Sequence, residues 1–241
     1  MIAARNALLM GGSSTPTARD YVQDGLVAMW DGIENAGWNQ HDASATTWTD
    51  LVGGVVAQLT RGHGGSSRNP DMQWGDNALI YPSTLSCAEF NLASLGDSAT
   101  IEVAYSDFQK ISLYFALFDT FDDQLNFFKS SGDLGDNLRC AVYGVRTGVI
   151  AGSSSILSAN GESGSVAMFF SPGVAGLQSG ALRVTSAIVA YNPAAKKWGI
   201  GGPYSSNFWT GKIHSFRLYS RALTAAEVAA NCAIDAARFG L

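Results

Sequence analysis

Short apolar segments separated by turn residues follow one another along most of this 241-residue chain. In residues 99–105 apolar and polar positions alternate, which places Ile101, Val103 and Tyr105 on one face of a strand and Glu102 on the other. Many short strands with glycine, serine or asparagine between them predict an all-β sandwich or barrel. Comparable segments occur at residues 25–30, 77–81, 112–118, 124–128, 138–145, 165–170, 182–191, 197–200 and 211–219.

The last part of the chain has a different pattern, which predicts a helix. Thr224 and Glu227 form a capping box, in which each side chain satisfies a free backbone amide of the first turn. The residues that follow are rich in alanine and contain no glycine or proline before Gly240, as expected for a helix that ends there. The apolar face expected to pack against the sandwich consists of Val228, Cys232 and residues 234–236.

Residues 1–20 are predicted to form an arm outside the sandwich. Residues 3–10 could form two helical turns, which the sequence GGSSTPT at residues 11–17 then interrupts. Such a segment is either a flexible terminus or an attachment segment. We expect residues 21–241 to form one domain, because a sandwich routinely uses this length and no internal repeat of about 20–50 residues is found.

Composition and charge exclude several classes of function. Apolar residues make up 46% of the chain and charged residues 15%, so the chain can bury a sizeable core. The net charge of −5 argues against binding nucleic acid and against docking on an anionic membrane. No signal peptide is expected, since the start lacks an unbroken apolar run of roughly 7–15 residues behind a basic head. No segment approaches the roughly 18 consecutive apolar residues of a membrane span.

The three cysteines, Cys87, Cys140 and Cys232, are widely spaced. This spacing matches neither a metal clip nor the dense disulfide framework of a small secreted module. It favours free and mostly buried thiols, with one disulfide left open.

Two stretches bracket the expected domain and resemble a known family. Residues 25–32, GLVAMWDG, and residues 47–54, TWTDLVGG, resemble the GLVAxW strand and the WxDLSGxG turn that open concanavalin A-like, laminin G-like domains. Residues 209–228, WTGKIHSFRLYSRALTAAEV, resemble the terminal strand of that family, FxGxIxxVRIYxRAL followed by Ser or Thr and xxE. The middle of the chain is similar to the family only in its rhythm of strands and turns.

The closing stretch also makes physical sense without the family. Ile213, Phe216 and Leu218 predict a core face, with a bulge where the alternation slips between residues 213 and 216. Arg221 is expected to cap or salt-bridge the start of the helix.

The resemblance implies a jelly-roll sandwich of two antiparallel sheets, lectin-like or glucanase-like, with the helix at its C-terminal end. Domains of this family bind carbohydrate or protein ligands, and stand-alone versions occur in bacteriophage and prophage tail, fibre and capsid proteins. It therefore implies a virion protein, made in the host cytoplasm, that contacts other virion proteins through its arm and binds a cell-surface glycan or protein. A homo-oligomer stays open. The alternatives are a bacterial carbohydrate-binding lectin module and, third, a glycoside hydrolase of the same fold.

The motifs of the usual hydrolytic sites are absent from the sequence, so we predict that the protein is not an enzyme. Hydrolases of this fold resemble one another in an E-x-D-x-E strand motif, and this chain contains no such motif. A GxSxG elbow and an HExxH motif are also absent, and His41, His63 and His214 lie far apart. The glutamates tested against these patterns are Glu34, Glu89, Glu102, Glu162 and Glu227.

Aromatic rings flanked by amides and carboxylates are the pattern that holds sugars, because the apolar face of a sugar stacks while its hydroxyls need partners. Trp30, Trp48 and Trp198 are expected in the core instead. The candidate ligand-binding residues are Trp38, Asn39, Trp74, Asn77, Asn207 and Trp209.

No organic cofactor is expected, but calcium stays open because many laminin G domains carry one ion at the loop rim. Asp119, Asp122 and Asp123 are the candidate ligands, since calcium prefers clustered oxygen donors. Asp133 and Asp136 form a second cluster. Neither matches an EF-hand loop, and aspartate is also an ordinary turn residue.

Overall fold

The alternation along the strands reflects two sheets that pack face to face, so that every second side chain enters the space between them. The computed structural model describes residues 15–61, 69–82, 86–93, 95–110, 114–120, 125–130, 137–142, 161–187, 196–202 and 209–241. Within these residues all strand pairs are antiparallel, and one helix follows the last strand. The prediction of an all-β, two-sheet antiparallel sandwich with a C-terminal helix is confirmed.

The two sheets have eight and seven strands. The first runs β13 (Leu182–Ala187), β12 (Val174–Ser179), β11 (Glu162–Ser171), β7 (Ala99–Lys110), β15 (Trp209–Tyr219), β5 (Leu79–Tyr81) and β4 (Gln73–Trp74), with β1 (Leu26–Asp31) also paired to β15. The second runs β10 (Asn137–Val142), β9 (Leu125–Ser130), β8 (Tyr114–Thr120), β14 (Lys196–Gly202), β6 (Ser86–Leu92), β3 (Val56–Thr60) and β2 (Thr47–Thr49).

Aromatic side chains dominate the core between the sheets. The ring centroid of Phe90 lies 4.3 Å from that of Trp30 and 6.1 Å from that of Trp198. Trp30, Trp48 and Trp198 are buried, which confirms the prediction that these three tryptophans belong to the core. Because aromatic rings bury large apolar areas, this cluster supplies much of the attraction between the sheets.

Strand β15 joins the core to the outer side of the eight-stranded sheet. Ile213, Phe216 and Leu218 belong to the core cluster. The register of β15 against β7 shifts between Ile213 and Ser215, which confirms the predicted bulge. Past the bulge, Arg217 and Tyr219 point away from the core, to the outer side of the sheet.

Helix α1 (Ala225–Phe239) begins and ends where the sequence predicts. The hydroxyl of Thr224 accepts from the backbone N–H of Glu227, and Gly240 ends the helix in a left-handed conformation with φ of 73°. The predicted apolar face is wrong in part, because the buried residues are Val228, Asn231, Asp235 and Phe239. The polar pair faces inward because the sheet beneath it presents a charged side chain.

That charged side chain is Arg217, which is 1% exposed. Its Nε donates to Glu102 Oε2 at 2.8 Å, and Nη1 and Nη2 donate to the two carboxylate oxygens of Asp235 at 2.7 Å each. Asn231 Nδ2 also donates to Glu102 Oε2, at 2.8 Å, and Tyr21 Oη donates to Asp235 Oδ1 at 2.7 Å. Removing one partner of such a buried pair costs about 3–5 kcal/mol, so the network fixes α1 on the sheet.

The segment just before the sandwich packs onto it. Residues Ala18–Asp20 form a 3-10 turn capped by Thr17, and Ala18 is fully buried against Tyr21 and Met29. The predicted boundary at residue 21 therefore falls inside a packed segment. Residues 1–14 lie outside the described residues, and their role as an arm stays a prediction.

Two further observations concern the membrane and the thiols. Among the described residues, no helix combines the length and the apolar character that a membrane crossing requires. Cys87 and Cys232 are free thiols, as predicted, whereas the side chain of Cys140 lies outside the described residues.

Acid is expected to loosen the start of α1. Hydrogen bonds from Arg221 and from Thr224 hold the pKa of Glu227 at about 2, below its usual value of 4.5. A carboxylate with a lowered folded-state pKa stabilises the fold fully above pH 4.5 and loses this effect as the pH falls toward about 2. We expect Glu227→Gln to be destabilising at neutral pH, by an amount that shrinks through this window. Urea unfolding of both proteins across the window measures it, and a difference that does not change with pH would contradict it.

Candidate functional site

The two sheets differ in what covers their outer faces, which are the faces turned away from the core. Helix α1 and the Arg217 network close the outer face of the eight-stranded sheet. Over the seven-stranded sheet the described residues place no helix, and the outward side chains of its described central strands are mostly polar. The centre of this face is nevertheless buried at Cys87, Glu89 and Asp119.

A row of polar residues crosses this face. Gln58 pairs with Glu89, Glu89 with Gly199, and Gly199 with Asp119. Directly paired residues of neighbouring strands point to the same side of a sheet, and the neighbours of Glu89 in β6, Ala88 and Phe90, belong to the core. We call Gln58, Glu89, Gly199 and Asp119 the outer row.

The outer row is buried at Glu89 and Asp119, which are 4% and 3% exposed, whereas Gln58 is exposed. Two strand spacings of about 4.8 Å each separate the strands of Glu89 and Asp119, with the buried Gly199 between them. The side chain of Lys197 is 38% exposed, and its Nζ lies 2.5 Å from Glu89 Oε2. A basic donor and a carboxylate acceptor thus lie side by side at the outer row.

One oxygen of the Glu89 carboxylate is buried without a partner. Oε1 accepts no hydrogen bond within the part of the chain that the structure describes. A buried acceptor left unpaired costs about 1–3 kcal/mol, so such a group calls for an explanation. Glu102 also has an unpaired oxygen, Oε1, but it lies beneath α1, where no ligand can reach it. Glu89 lies beside exposed groups.

The negative potential of this face acts on a neighbouring thiol. Burial, and then the carboxylates of Glu89 and Asp119, raise the pKa of Cys87 well above its usual value, with Lys197 acting in the opposite direction. These four side chains therefore share one electrostatic environment. The buried thiol is protonated at neutral pH and is therefore a poor nucleophile.

The sequence-predicted ligand residues Trp38 and Asn39 lie together in the loop after β1. The guanidinium of Arg19 lies 4.2 Å from the ring centroid of Trp38, and the ring packs against the cluster that contains Tyr21 and Met29. Asn39 is exposed and has φ of 56°, a left-handed conformation that asparagine tolerates in turns. One side of the Trp38 ring is thus already stacked.

Trp74 and Asn77 lie elsewhere and serve other contacts. Trp74 is 9% exposed, and its Nε1 donates to the carbonyl of Ala45 at 3.0 Å. Its ring packs edge-on against Trp48 in the core, and its role as a ligand-binding residue stays a prediction. The carbonyl of Asn77 lies 3.0 Å from His214 Nδ1. Trp38 and Trp74 belong to separate clusters, so the structure does not bring the predicted residues into one site.

The remaining predicted site residues are described only in part. Trp209 begins β15 and pairs with Lys110, and Asn207 lies outside the described residues, as do the candidate calcium ligands Asp122 and Asp123. Asp119 is buried in β8. Within the described ranges, no three acidic, histidine or cysteine side chains are arranged to hold a metal ion, and the roles of these residues stay predictions.

Sequence reasoning missed Glu89, Lys197 and Gln58 as site residues. From the sequence, Glu89 is a candidate only for a hydrolase acid, and its neighbours do not form the E-x-D-x-E motif. The useful signal was the alternation of Cys87, Glu89 and Asn91 with core residues, which predicts one polar face of a strand. Gln58 and Lys197 can be assigned to the same face only from the register of β3 and β14 against β6.

No protein-family model matches the chain, and no curated protein matches it in sequence. Solved structures do share its fold. Trypanosoma rangeli sialidase matches with a TM-score of 0.61 and 14% identity, over 95% of this chain and 34% of that chain. The same enzyme in complex with sialic acid matches with a TM-score of 0.60 and 14% identity, over 95% of this chain and 34% of that chain. This chain thus spans about a third of the length of the sialidase.

A third similar structure is close to this chain in length. It is domain 4 of AbnA, a GH43 extracellular arabinanase from Geobacillus stearothermophilus, in complex with arabinotriose. The TM-score is 0.63 with 14% identity, over 86% of this chain and 98% of that domain. At such identities the likeness shows the fold, and it supports the lectin-like or glucanase-like sandwich that the resemblance implied. The bacteriophage setting is not part of what these structures show.

These structures correct one prediction. The absence of hydrolase motifs led us to predict that the protein is not an enzyme, but the similar structures include a sialidase and an arabinanase, which are enzymes by name. The prediction that the protein is not an enzyme is therefore wrong. No catalytic residue is carried over, since function depends on the site and not on the fold.

Two buried carboxylates are expected to respond differently to the same change. Asp235→Asn should lower the free energy of unfolding by about 3–5 kcal/mol, because it leaves the buried Arg217 guanidinium without its bidentate partner. Glu89→Gln should cost less than about 1 kcal/mol, since Lys197 is partly exposed and water can replace its partner. Urea unfolding of both variants measures the contrast. Equal losses would mean that Glu89 is a structural residue like Asp235.

Proposed function

We propose that this chain is a carbohydrate-binding β-sandwich module and that it binds its ligand at the outer row and Lys197. The observation that carries the proposal is Glu89 Oε1, which is buried and accepts no hydrogen bond from the described residues, beside a partly exposed basic group. A ligand hydroxyl that donates to Oε1 removes the cost of the unpaired acceptor.

The polar groups of the outer row and Lys197 are suited to binding sugar hydroxyls. Each sugar hydroxyl is both a donor and an acceptor, so neighbouring hydroxyls can donate to Glu89 and accept from Lys197 Nζ. Gln58 adds an exposed amide at the end of the row. Hydrogen bonds that are shielded from water are stronger than those at an open surface. Among the described outward residues of this face none is aromatic, so the proposed recognition depends on hydrogen bonds and not on stacking.

The similar structures support the proposal without deciding it. Two of them are complexes with sialic acid and with arabinotriose, so proteins that contain this fold do occur with carbohydrate ligands. The share of AbnA domain 4 that is matched, 98%, favours a self-contained module of this size.

Calorimetric titration with a panel of neutral oligosaccharides, including arabinotriose and lactose, tests the proposal. We expect binding of at least one panel member, and an affinity lowered about tenfold or more in Glu89→Gln, because a hydrogen bond to a charged group contributes about 1.5–3 kcal/mol. Asp97→Asn changes an exposed carboxylate in the loop between β6 and β7 and is the matched control, for which we expect no effect. No binding by the wild type, or equal losses in both variants, would overturn the proposal.

We further propose that the module belongs to a virion, where the segment before residue 15 attaches it to other virion proteins. The observation that favours this setting is the resemblance of the two terminal motifs to domains found in bacteriophage and prophage proteins. A bacterial carbohydrate-binding lectin is the alternative, and it would use the same binding face.

A deletion separates attachment from folding. Because Ala18 is fully buried, the deletion should end at residue 14, which leaves Thr17 and the 3-10 turn in place. We expect the shortened protein to keep its thermal midpoint and to lose association with purified particles of the parent phage. Unchanged association would contradict the attachment role, and a lowered midpoint would show that residues 1–14 also stabilise the sandwich.

A further inference from the structure

A serine and a histidine form a hydrogen-bonded pair on the eight-stranded sheet, at the C-terminal end of α1. His214 Nε2 lies 2.8 Å from Ser106 Oγ, and His214 Nδ1 lies 3.0 Å from the backbone carbonyl oxygen of Asn77. Tyr105, the neighbour of Ser106 in β7, belongs to the core, so Ser106 points to the outer face of the sheet. The ring of Phe239, the last residue of α1, is stacked on the imidazole at a centroid distance of 5.0 Å.

The partners of His214 determine which ring nitrogen carries the proton. A carbonyl oxygen can only accept, so Nδ1 donates to Asn77. Burial lowers the pKa of His214 below its usual value of 6.5, so the ring is neutral at pH 7 and Nε2 keeps a lone pair. The hydroxyl of Ser106 therefore donates to Nε2. This is the arrangement in which a histidine, itself oriented by a third group, takes the proton of a serine nucleophile.

The backbone around Ser106 is irregular on both sides. The register of β7 against β11 shifts between residues 162 and 164, and its register against β15 shifts between residues 210 and 212. Asp107, which follows Ser106, has φ of 53°, a left-handed conformation that is uncommon outside glycine. Bulges re-aim side chains next to active sites, and sparsely populated backbone conformations are commonly retained at functional sites.

Two hydrogen-bond donors lie close to Ser106. The backbone N–H of Asp107 donates to the hydroxyl of Ser163 at 3.4 Å, which is a long bond to an exposed side chain, so another oxygen can replace this acceptor. Lys212 is paired with Ser106 across the strands, and its Nζ lies 2.7 Å from Asp107 Oδ2. A backbone N–H and an ammonium are groups that stabilise the negative oxygen formed when a serine attacks an acyl group.

The exposure of these residues limits the size of a substrate. Ser106 is 9% exposed and His214 is 3% exposed, whereas the side chains of Lys212 and Asp107 beside them are 40% and 59% exposed. The main chain of Ser106 lies between β11 and β15, and the core lies behind it, so its exposed part is on the side that carries the hydroxyl. Only a small acyl group can therefore reach Ser106 Oγ.

We propose that Ser106 is a nucleophile, activated by His214, that cleaves esters of short acyl groups such as acetyl; this activity is separate from carbohydrate binding. Ser106 Oγ forms a bond to the carbonyl carbon while its proton passes to His214 Nε2. The bond from that carbon to the alcohol oxygen then breaks, and the alcohol leaves with the proton. Water attacks the acylated Ser106 and gives a proton to Nε2, the carboxylic acid leaves, and the proton returns to Ser106 Oγ. The sum is one ester and one water converted to one acid and one alcohol.

Methanesulfonyl fluoride, a small sulfonylating reagent, tests the reactivity of Ser106. Attack by Ser106 Oγ on its sulfur forms a methanesulfonyl ester and releases fluoride, with the serine proton passing to His214. We expect one adduct on the folded protein by intact mass, its place on Ser106 by peptide mapping, and no adduct in urea, because a serine without an adjacent base is a weak nucleophile. A folded protein without an adduct on Ser106 would overturn the proposal and leave the pair a structural role.

Hydrolysis of p-nitrophenyl acetate measures turnover. Ser106→Ala and His214→Asn are each expected to lower kcat/KM by about a hundredfold or more, the lower end of what a positioned base contributes. The amide introduced at position 214 can still donate to Asn77, which keeps one contact of the wild-type ring. Ser44→Ala and His41→Asn change an exposed serine and an exposed histidine in the loop after β1. These two variants are the matched controls and should keep the wild-type rate.

The outcomes do not depend on whether the protein binds sugars. Hydrolysis that persists at the wild-type rate in Ser106→Ala, or that falls equally in the control variants, would contradict the proposed activity. Thermal midpoints of all variants distinguish a loss of chemistry from a loss of fold. Where Ser106→Ala does not fold, the adduct on the wild-type protein decides the question by itself.

Discussion

The buried guanidinium of Arg217 is the interaction on which the rest of this structure depends. Arginine stays charged in proteins, so a fully buried Arg217 requires carboxylates that are held at the right distance and angle. Glu102 in β7 and Asp235 in α1 meet this requirement. The last helix is thereby held to the sheet by a charged contact, with Asn231 and Tyr21 completing the hydrogen bonds. The helix in turn covers the part of that outer face formed by β11, β12 and the network residues of β7 and β15.

Two kinds of buried acid therefore exist in one sandwich. Asp235 accepts from Arg217, Tyr21 and Ser165 and is part of what holds the fold together. Glu89 is almost as deeply buried, but it has one partly exposed partner and one unpaired oxygen. A protein that keeps an incompletely paired buried acid gives up stability there, and functional sites are where such a loss is commonly retained. The contrast between these acids, and not burial by itself, distinguishes the candidate site from the structural network.

The similar structures and the site contribute different information. TM-scores of 0.60 to 0.63 at 14% identity show how the chain folds, and the matches overturn the inference that missing hydrolase motifs make the chain non-enzymatic. Any function still has to be argued from the residues of a particular site. In this chain Trp38 and Trp74, two of the aromatic positions that the sequence favoured, lie in separate clusters, whereas strand register aligns Glu89 with Asp119.

The sequence by itself determined the elements whose evidence is local. The alternation in β7, the capping box of α1, the bulge in β15 and the core positions of Trp30, Trp48 and Trp198 all follow from neighbouring residues. Strands β2, β3, β4, β6 and β12 were not among the predicted segments. In β6 and β12 the alanine, asparagine, glutamine and glycine favour strands weakly, and the pairing on both sides imposes the extended conformation. Tertiary structure alone decided the outer row, because Glu89, Asp119 and Gly199 are far apart in sequence and only strand register aligns them. It also decided which face of α1 packs on the sheet. Asn231 and Asp235 face inward because they bind the buried side chains of Glu102 and Arg217.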